Sequence, residues 1–313
     1  MKKTNEEKQY VISKMLSILN PSPELMVFTK ADDWLQKNSL QEKNAASFQV
    51  QYKLGGSNIV LEKNSFLSFN HSGAYRCMLC QKACKKIYSG SCYVCLTTKA
   101  AADMCILNPH TCHFAKGTCR EPQWGLNFCF QPHYVYIAYT DKFKVGITRK
   151  NQILTRWVDQ GATMAAPVGI VSSRRQAGVI EKALMEILAD KSHWQKMLKA
   201  GNASPSQDEF ENQLLAAQTW LKDALVKKPN LQVYPPAEAN SSQKENIILF
   251  DNPAIVKINY PVPENIEKIK SVSLEKEKIF QGKITGIKGQ YIFFGERVLN
   301  MRSHEGFVVE IEN

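Results

Sequence analysis

Residues 133–188 read HYVYIAYTDKFKVGITRKNQILTRWVDQGATMAAPVGIVSSRRQAGVIEKALMEIL, and the order of elements spelled there decides the fold. Tyr134 to Tyr139 and Phe143 to Thr148 are two aromatic and β-branched runs separated by Thr140, Asp141 and Lys142, the pattern of a tight hairpin. From Asn151 to Gln160 the apolar positions Ile153, Leu154, Trp157 and Val158 recur at helical spacing, and Gly161 ends the run. A third strand is predicted from about Pro167 to Val171. It leads into a longer helix from about Arg174 that Ser172 or Ser173 can cap. The segment is expected to fold as β-β-α-β-α.

Immediately upstream lie all nine cysteines, between Cys77 and Cys129. Cys77, Cys80, Cys92 and Cys95 form two Cys-x2-Cys knuckles eleven residues apart, close to the spacing of zinc ribbons. Each knuckle offers two thiolates on one turn, and two turns complete a tetrahedron, so a closed structural zinc site is expected there. Cys84 stands outside that spacing. Cys105, Cys112, Cys119 and Cys129 form a second set whose spacing matches no common finger. They lie in a Gly- and Pro-punctuated segment without the apolar periodicity to hold itself, which argues for a second zinc as a staple. Neighbouring side chains seldom bind one ion, so Cys112 and His113 compete for one ligand position there. Buried structural cysteines are the plainer reading of the second set.

The Tyr134-Val135-Tyr136 triplet on the first strand, Lys144-Val145-Gly146 on the second, Arg156 in the next helix and Glu181 in the one after resemble the GIY-YIG nuclease fold. The chain also looks like a bacterial family of unknown function, on its Cys-rich stretch followed by Lys-Val-Gly-Ile-Thr-Arg and Thr-Arg-Trp-Val-Asp-Gln-Gly-Ala. The nuclease resemblance implies phosphodiester hydrolysis. It assigns the base to Tyr136, with Tyr134 as second choice, phosphate contact to Arg156, and one magnesium or manganese ion to Glu181. Lys144 stands where that family has a tyrosine; its amine can bind phosphate or act as a base. Thr148, Arg149, Gln160 and His193 are further polar candidates for the same cleft. Taken singly, Tyr136 reads as a strand aromatic, and Arg156 and Glu181 as helix surface.

Charge supports a polyanionic partner. The net charge is +11, and residues 71–130 and 131–200 contribute +5 and +6, so the remainder is neutral. A basic excess confined to the cysteine segment and its neighbour suits nucleic acid, DNA ahead of RNA. With 44% hydrophobic and 22% charged residues, no apolar run of membrane-span length and no leader, a cytoplasmic chain without a small-molecule cofactor is expected.

The expected class is α+β: a zinc-binding Cys-rich region and a GIY-YIG-like core, flanked by N- and C-terminal antiparallel β segments. Residues 1–76 are expected to hold a helix over 4–19, with Thr4 and Glu7 capping it and Val11, Met15, Ile18 and Leu19 on one face, before Pro21 and Pro23. A small antiparallel sheet from Phe48, Val50, Tyr52 and Leu54, then 59–61 and 66–69, follows. The Cys-rich region spans 77–132 and the core 133–226, the latter ending in a helix around Phe210, Leu214, Ala217, Leu221 and Leu225 that Ser204 caps. A linker over 227–246 leads to a β subdomain at 247–313, a small sheet or open barrel that packs with the N-terminal sheet. Three functions compete: a metal-dependent endonuclease, a non-catalytic nucleic-acid-binding module, and a zinc-scaffolded protein-interaction domain.

Overall fold

The structure, a computed structural model, describes residues 9–21, 46–55, 57, 59–188, 193–228, 231 and 247–313. The core elements come in the expected order. The hairpin is His133–Tyr139 and Phe143–Arg149, the short helix is Ile153–Asp159 after a 3₁₀ turn, the third strand is Met164–Val171, and the second helix is Arg174–Leu184. Ser173 starts that helix by accepting the Gln176 backbone N–H at 3.3 Å.

His133–Tyr139 pairs antiparallel with Phe143–Arg149 on one side and Met164–Val171 on the other. The second ladder slips between Val135 and Tyr136, where the partner changes from Gly169 to Pro167. A proline has no N–H for a ladder, and a bulge is where a sheet tolerates one. Both faces of the central strand are covered, as its unbroken apolar run requires. Val135 and Ile137 join Val145 and Ile147 in a core with Ala177, Ile180, Leu184, Phe210 and Leu214. Tyr134, Tyr136 and Ala138 alternate onto the other face, opposite Thr148, Gly146 and Lys144. Trp157 meets Tyr136 edge-on at 6.0 Å, and Phe250 meets Tyr134 at 5.9 Å.

The described chain divides into two compact units, 1–18 with 50–97 and 260–313, and 19–49 with 98–259. In the second unit the core sheet gains Val256–Asn259, which pairs antiparallel with Met164–Val171 and parallel with Ala46 to Gln49. The helix Gln207–Lys227 buries Phe210, Leu214, Ala217, Leu221 and Ala224. Its cap is Ser206, which accepts the Glu209 N–H at 3.1 Å, and not Ser204; Ser206 is the residue directly before the first helical position.

In the first unit Phe66–Arg76 lies between Ile279–Lys283 and Phe307–Glu312, all antiparallel, and Gln9–Val11 extends the sheet beyond Phe307–Glu312. Lys270–Ser271, Arg297–Asn300, Tyr291–Phe294 and Gly286–Lys288 form a separate four-stranded sheet.

Two expectations are corrected here. The helix over 4–19 is replaced by the strands Gln9–Val11 and Leu16–Pro21. Ile12, Met15 and Leu19 are buried at spacings that imitate a helix face, but distant partners hold the backbone extended: Ile12 N–H donates to the Phe307 carbonyl, and Gln290 bonds both the N–H and the carbonyl of Met15. The flanking β segments are also not two self-contained antiparallel sheets. Ala46–Lys53 takes a parallel neighbour from 256–259, while Phe66–Arg76 pairs with strands from the last 35 residues. Thr4, Glu7, Pro23 and the linker expected over 227–246, apart from Lys227, Lys228 and Leu231, lie outside the described residues. No described helix is long and apolar enough to cross a membrane.

Gly146 faces Tyr136 across the hairpin, and a Cβ there would sit 2.5 Å from the phenol oxygen and 2.6 Å from the ring carbon bearing it. Gly146→Ala is expected to destabilise the chain by about 1–3 kcal/mol. Combined with Tyr136→Leu it should cost clearly less than the sum of the two changes, because the second removes the ring that the first collides with. Urea unfolding of the four proteins in that cycle measures the coupling, and simple additivity would refute the contact.

Candidate functional site

Tyr136 is fully buried. Its hydroxyl donates to Gln160 Oε1 at 3.2 Å, hydrogen-bonds with Arg156 and lies in the field of Glu181. Burial raises the phenol above its ordinary pKa, and Arg156 offsets this only in part, so it is a neutral donor near neutral pH. Arg156 is held more firmly protonated, first by the Tyr136 oxygen and then by Asp159 and Glu181. Its Nε and the Nε2 of Gln160 are buried without a partner among the described residues. The hairpin, the short helix and the second helix thus bring Tyr136, Arg156 and Glu181 into one electrostatic neighbourhood. Tyr134, on the same strand, and Lys144, on the neighbouring one, are buried on the same sheet face as Tyr136, opposite Thr148 and Ala138 respectively. His193 is the residue directly before the helix Trp194–Lys199.

Arg174, at the start of the second helix, adds a cation. It feels Arg156 and Glu181 on one hand and Cys129 and Cys105 on the other; its Nη2 donates to the Ile106 carbonyl at 2.6 Å, and its Nε is buried without a partner among the described residues. Arg149 pairs across the hairpin with His133 and stacks on Phe128 at 4.1 Å. His133 is buried, and its Nδ1–H donates to the Gln131 carbonyl at 2.6 Å. Burial first, then Arg174 and Arg149, push its pKa down to about 4. The imidazole is therefore neutral, with the Nε2 lone pair as acceptor. Arg174 and His133 were not singled out as site residues on sequence grounds. The Arg-Arg pair directly after the capping Ser173 was the available signal for the first.

All nine cysteines are free thiols. The sulfurs of Cys77, Cys80, Cys92 and Cys95 lie within 4.8 Å of one another, a group that could hold a metal such as zinc. The first knuckle sits between the paired strands Phe66–Arg76 and Ala83–Cys84, and Cys95 is on the first turn of the helix Tyr93–Thr98. Burial would raise Cys77, but backbone bonds from Cys80, Cys92 and Leu79 outweigh it and bring the thiol down to about 6; the Cys92 N–H donates to its sulfur at 3.2 Å. Burial and then the other three thiols push Cys95 up to about 12. Cys84 is raised by burial and by the same neighbours and stands outside the group.

Cys105, Cys112, Cys119 and Cys129 line one small cavity with Asp103 and His113. The closest grouping of ligand atoms in it is Asp103, Cys105 and His113. Asp103 was not anticipated; it caps the helix Met104–Leu107 and pairs with Arg120 Nε at 2.8 Å. Burial and then Asp103 push Cys105 up to about 12, and burial takes Cys129 to about 11.

A family model described as "Protein of unknown function (DUF2797)" matches residues 65–309. The chain belongs to this family. The DUF2797 match takes in both cysteine groups, Tyr136, Arg156 and Glu181. Among the curated proteins and the solved structures nothing matches the chain.

Stripping metal with a strong chelator is expected to lower the melting temperature of this DUF2797 chain, and stoichiometric zinc should restore it; an unchanged melting curve would rule out a structural ion at Cys77, Cys80, Cys92 and Cys95. His133 gives a pH signature. With a folded pKa of about 4 against an ordinary 6.5, the unfolded chain takes up a proton that the folded chain refuses. This contribution is fully present above pH 6.5 and is lost as pH falls towards 4, by roughly 3 kcal/mol in all. The stability difference between the natural chain and His133→Asn should change over that window in urea titrations, and a constant difference would contradict the assignment.

Proposed function

We propose that the chain acts on nucleic acid, and that Tyr136, Arg156 and Glu181 form a phosphodiester-hydrolysing site of GIY-YIG type beside zinc-stabilised loops. The observation that carries this reading is the convergence of a buried phenol, a guanidinium short of acceptors and a carboxylate, from three separate elements. Hydrolysis of a phosphodiester needs a cation on the non-bridging oxygens, a means to orient and deprotonate water, and charge stabilisation as the bond breaks.

Arg156 meets the first need: its fork can take two phosphate oxygens, and its buried Nε calls for an anionic acceptor. Glu181, half-buried beside Arg156 and Arg174, is the carboxylate for magnesium or manganese, ions that keep most of their waters and ask for one or two protein carboxylates. Such an ion would supply Lewis-acid stabilisation of the developing charge. Tyr136, neutral and oriented by Gln160 and Arg156, donates a hydrogen bond at rest and becomes a base only towards alkaline pH. Lys144, on the same sheet face, adds a positive charge for the substrate. The basic excess of residues 71–200 supports a polyanion, DNA ahead of RNA.

A second reading, a nucleic-acid-binding module without hydrolysis, is favoured by two facts: Tyr136 is closed to solvent, and lysine stands at position 144. One set of assays separates the two. Under the first reading, the chain cleaves oligonucleotides with magnesium or manganese, and Arg156→Ala or Glu181→Ala lowers the rate by about 100-fold or more while circular dichroism is unchanged. Binding that weakens steeply with salt, without cleavage at any pH up to 10, selects the second. Neither binding nor cleavage overturns both.

A further inference from the structure

We propose that Cys105, Cys112, Cys119 and Cys129 bind one zinc ion as four thiolates, and that Arg149 and Arg174 are the counter-charges of this centre. The four thiols and their three polar neighbours, Asp103, His113 and Arg120, line a cavity of about 20 Å³, room for a single atom-sized occupant. The helix Pro122–Cys129 borders the sulfurs. Gly125 and Cys129 lie one turn apart on one face, and a Cβ on Gly125 would come 3.2 Å from the Phe114 ring and 3.4 Å from the Cys119 sulfur, so this helix face packs close against both.

The other candidate ligands are already engaged. His113 Nδ1 bonds the Thr118 hydroxyl at 2.8 Å, and its Nε2 lies 3.5 Å from the Asp103 carboxylate. That carboxylate holds Arg120 and accepts the Cys105 N–H at 3.1 Å. Asp103 and His113 are therefore tied to each other, to Arg120, to Thr118 and to the Cys105 backbone, a bond that does not use the Cys105 sulfur, and Cys112 takes the position that it and His113 could share. The four thiols remain. Their segment also needs a staple, because its helices are eight residues or fewer and Met104 and Leu107 are 62% and 76% exposed.

Charge makes the assignment specific. Four thiolates around a dication carry two surplus negative charges. Two arginines stand next to Cys129. Arg149 sits over the Phe128 ring at 4.1 Å and in the field of Cys129. Arg174 spends one nitrogen on the Ile106 carbonyl and keeps a buried Nε unpaired among the described residues. Half-buried guanidinium groups short of acceptors are costly, and an anionic centre beside them removes that cost. Arg174 also faces Arg156 and Glu181, so the same cation connects the thiolate centre with the phosphodiester group.

Zinc per chain, measured by elemental analysis and native mass spectrometry on the full chain, tests the ligand set. Cys80→Ser, which disables the first knuckle, should keep one ion that Cys80→Ser with Cys119→Ser lacks, while Asp103→Asn and His113→Asn should lose none relative to the natural chain. Arg149→Ala with Arg174→Ala should release that ion to a colorimetric chelator about 10–100-fold faster. A Cys80→Ser chain without zinc, a Cys119→Ser change that costs no ion, or loss of an ion in either Asn variant overturns the ligand set; an unchanged release rate overturns the role of the arginines. Should Cys119→Ser fail to fold, cobalt(II) added to Cys80→Ser probes the same centre. A spectrum dominated by thiolate-to-cobalt charge transfer supports it, and the absence of those bands refutes it.

Discussion

A strand that is covered on both faces must satisfy every polar atom it carries inside the protein, and His133–Tyr139 is such a strand. Tyr136 and His133 have almost no contact with water, so each must find partners among neighbouring side chains. Tyr136 does so through Gln160 and Arg156; His133 does so only at Nδ1, through Gln131, and its Nε2 is buried without a partner among the described residues. Those partners draw charged groups into the interior in turn, Arg156 from the short helix and Arg174 from the second. The candidate site is thus a consequence of burial. Its charges interact at close quarters because water that would screen them is excluded.

The positive charge in this interior is not balanced by carboxylates alone. Arg156 meets Glu181 and Asp159, Arg174 meets Glu181, and the Nε of each is left over among the described residues. Two kinds of anion can take up the difference: a phosphate at Arg156 and a thiolate centre at Arg149 and Arg174. Arg174 is in the field of both groups, Arg156 and Glu181 as well as Cys129 and Cys105. Metal-bound loops and phosphate-binding groups would in this way share one cation and not merely adjoin each other in sequence.

The first thiol group obeys a more local logic. Cys77 to Cys80 is a turn between two paired strands, Cys92 precedes a helix and Cys95 is inside it, so short-range geometry alone brings each pair of sulfurs together. That is why spacing was enough to expect this group. The second group draws its thiols from two helices and the turns between them. Spacing alone therefore pointed to it less sharply.

Local periodicity determined the β-β-α-β-α order and the pairs of thiols on each knuckle, and narrowed the cap of the second helix to Ser172 or Ser173, because the residues that decide them lie within a few positions of one another. The strands at Gln9–Val11 and Leu16–Pro21 were hidden, since Ile12, Met15 and Leu19 are spaced as a helix would space them, and the groups that hold them extended are Gln290 and Phe307, almost the whole chain away. The parallel neighbour of Ala46–Lys53, the knot around Asp103 and the position of Arg174 between two charged groups were likewise set only by the tertiary structure. Backbone hydrogen bonds and charges act over a few ångströms of space, and the sequence records separation along the chain.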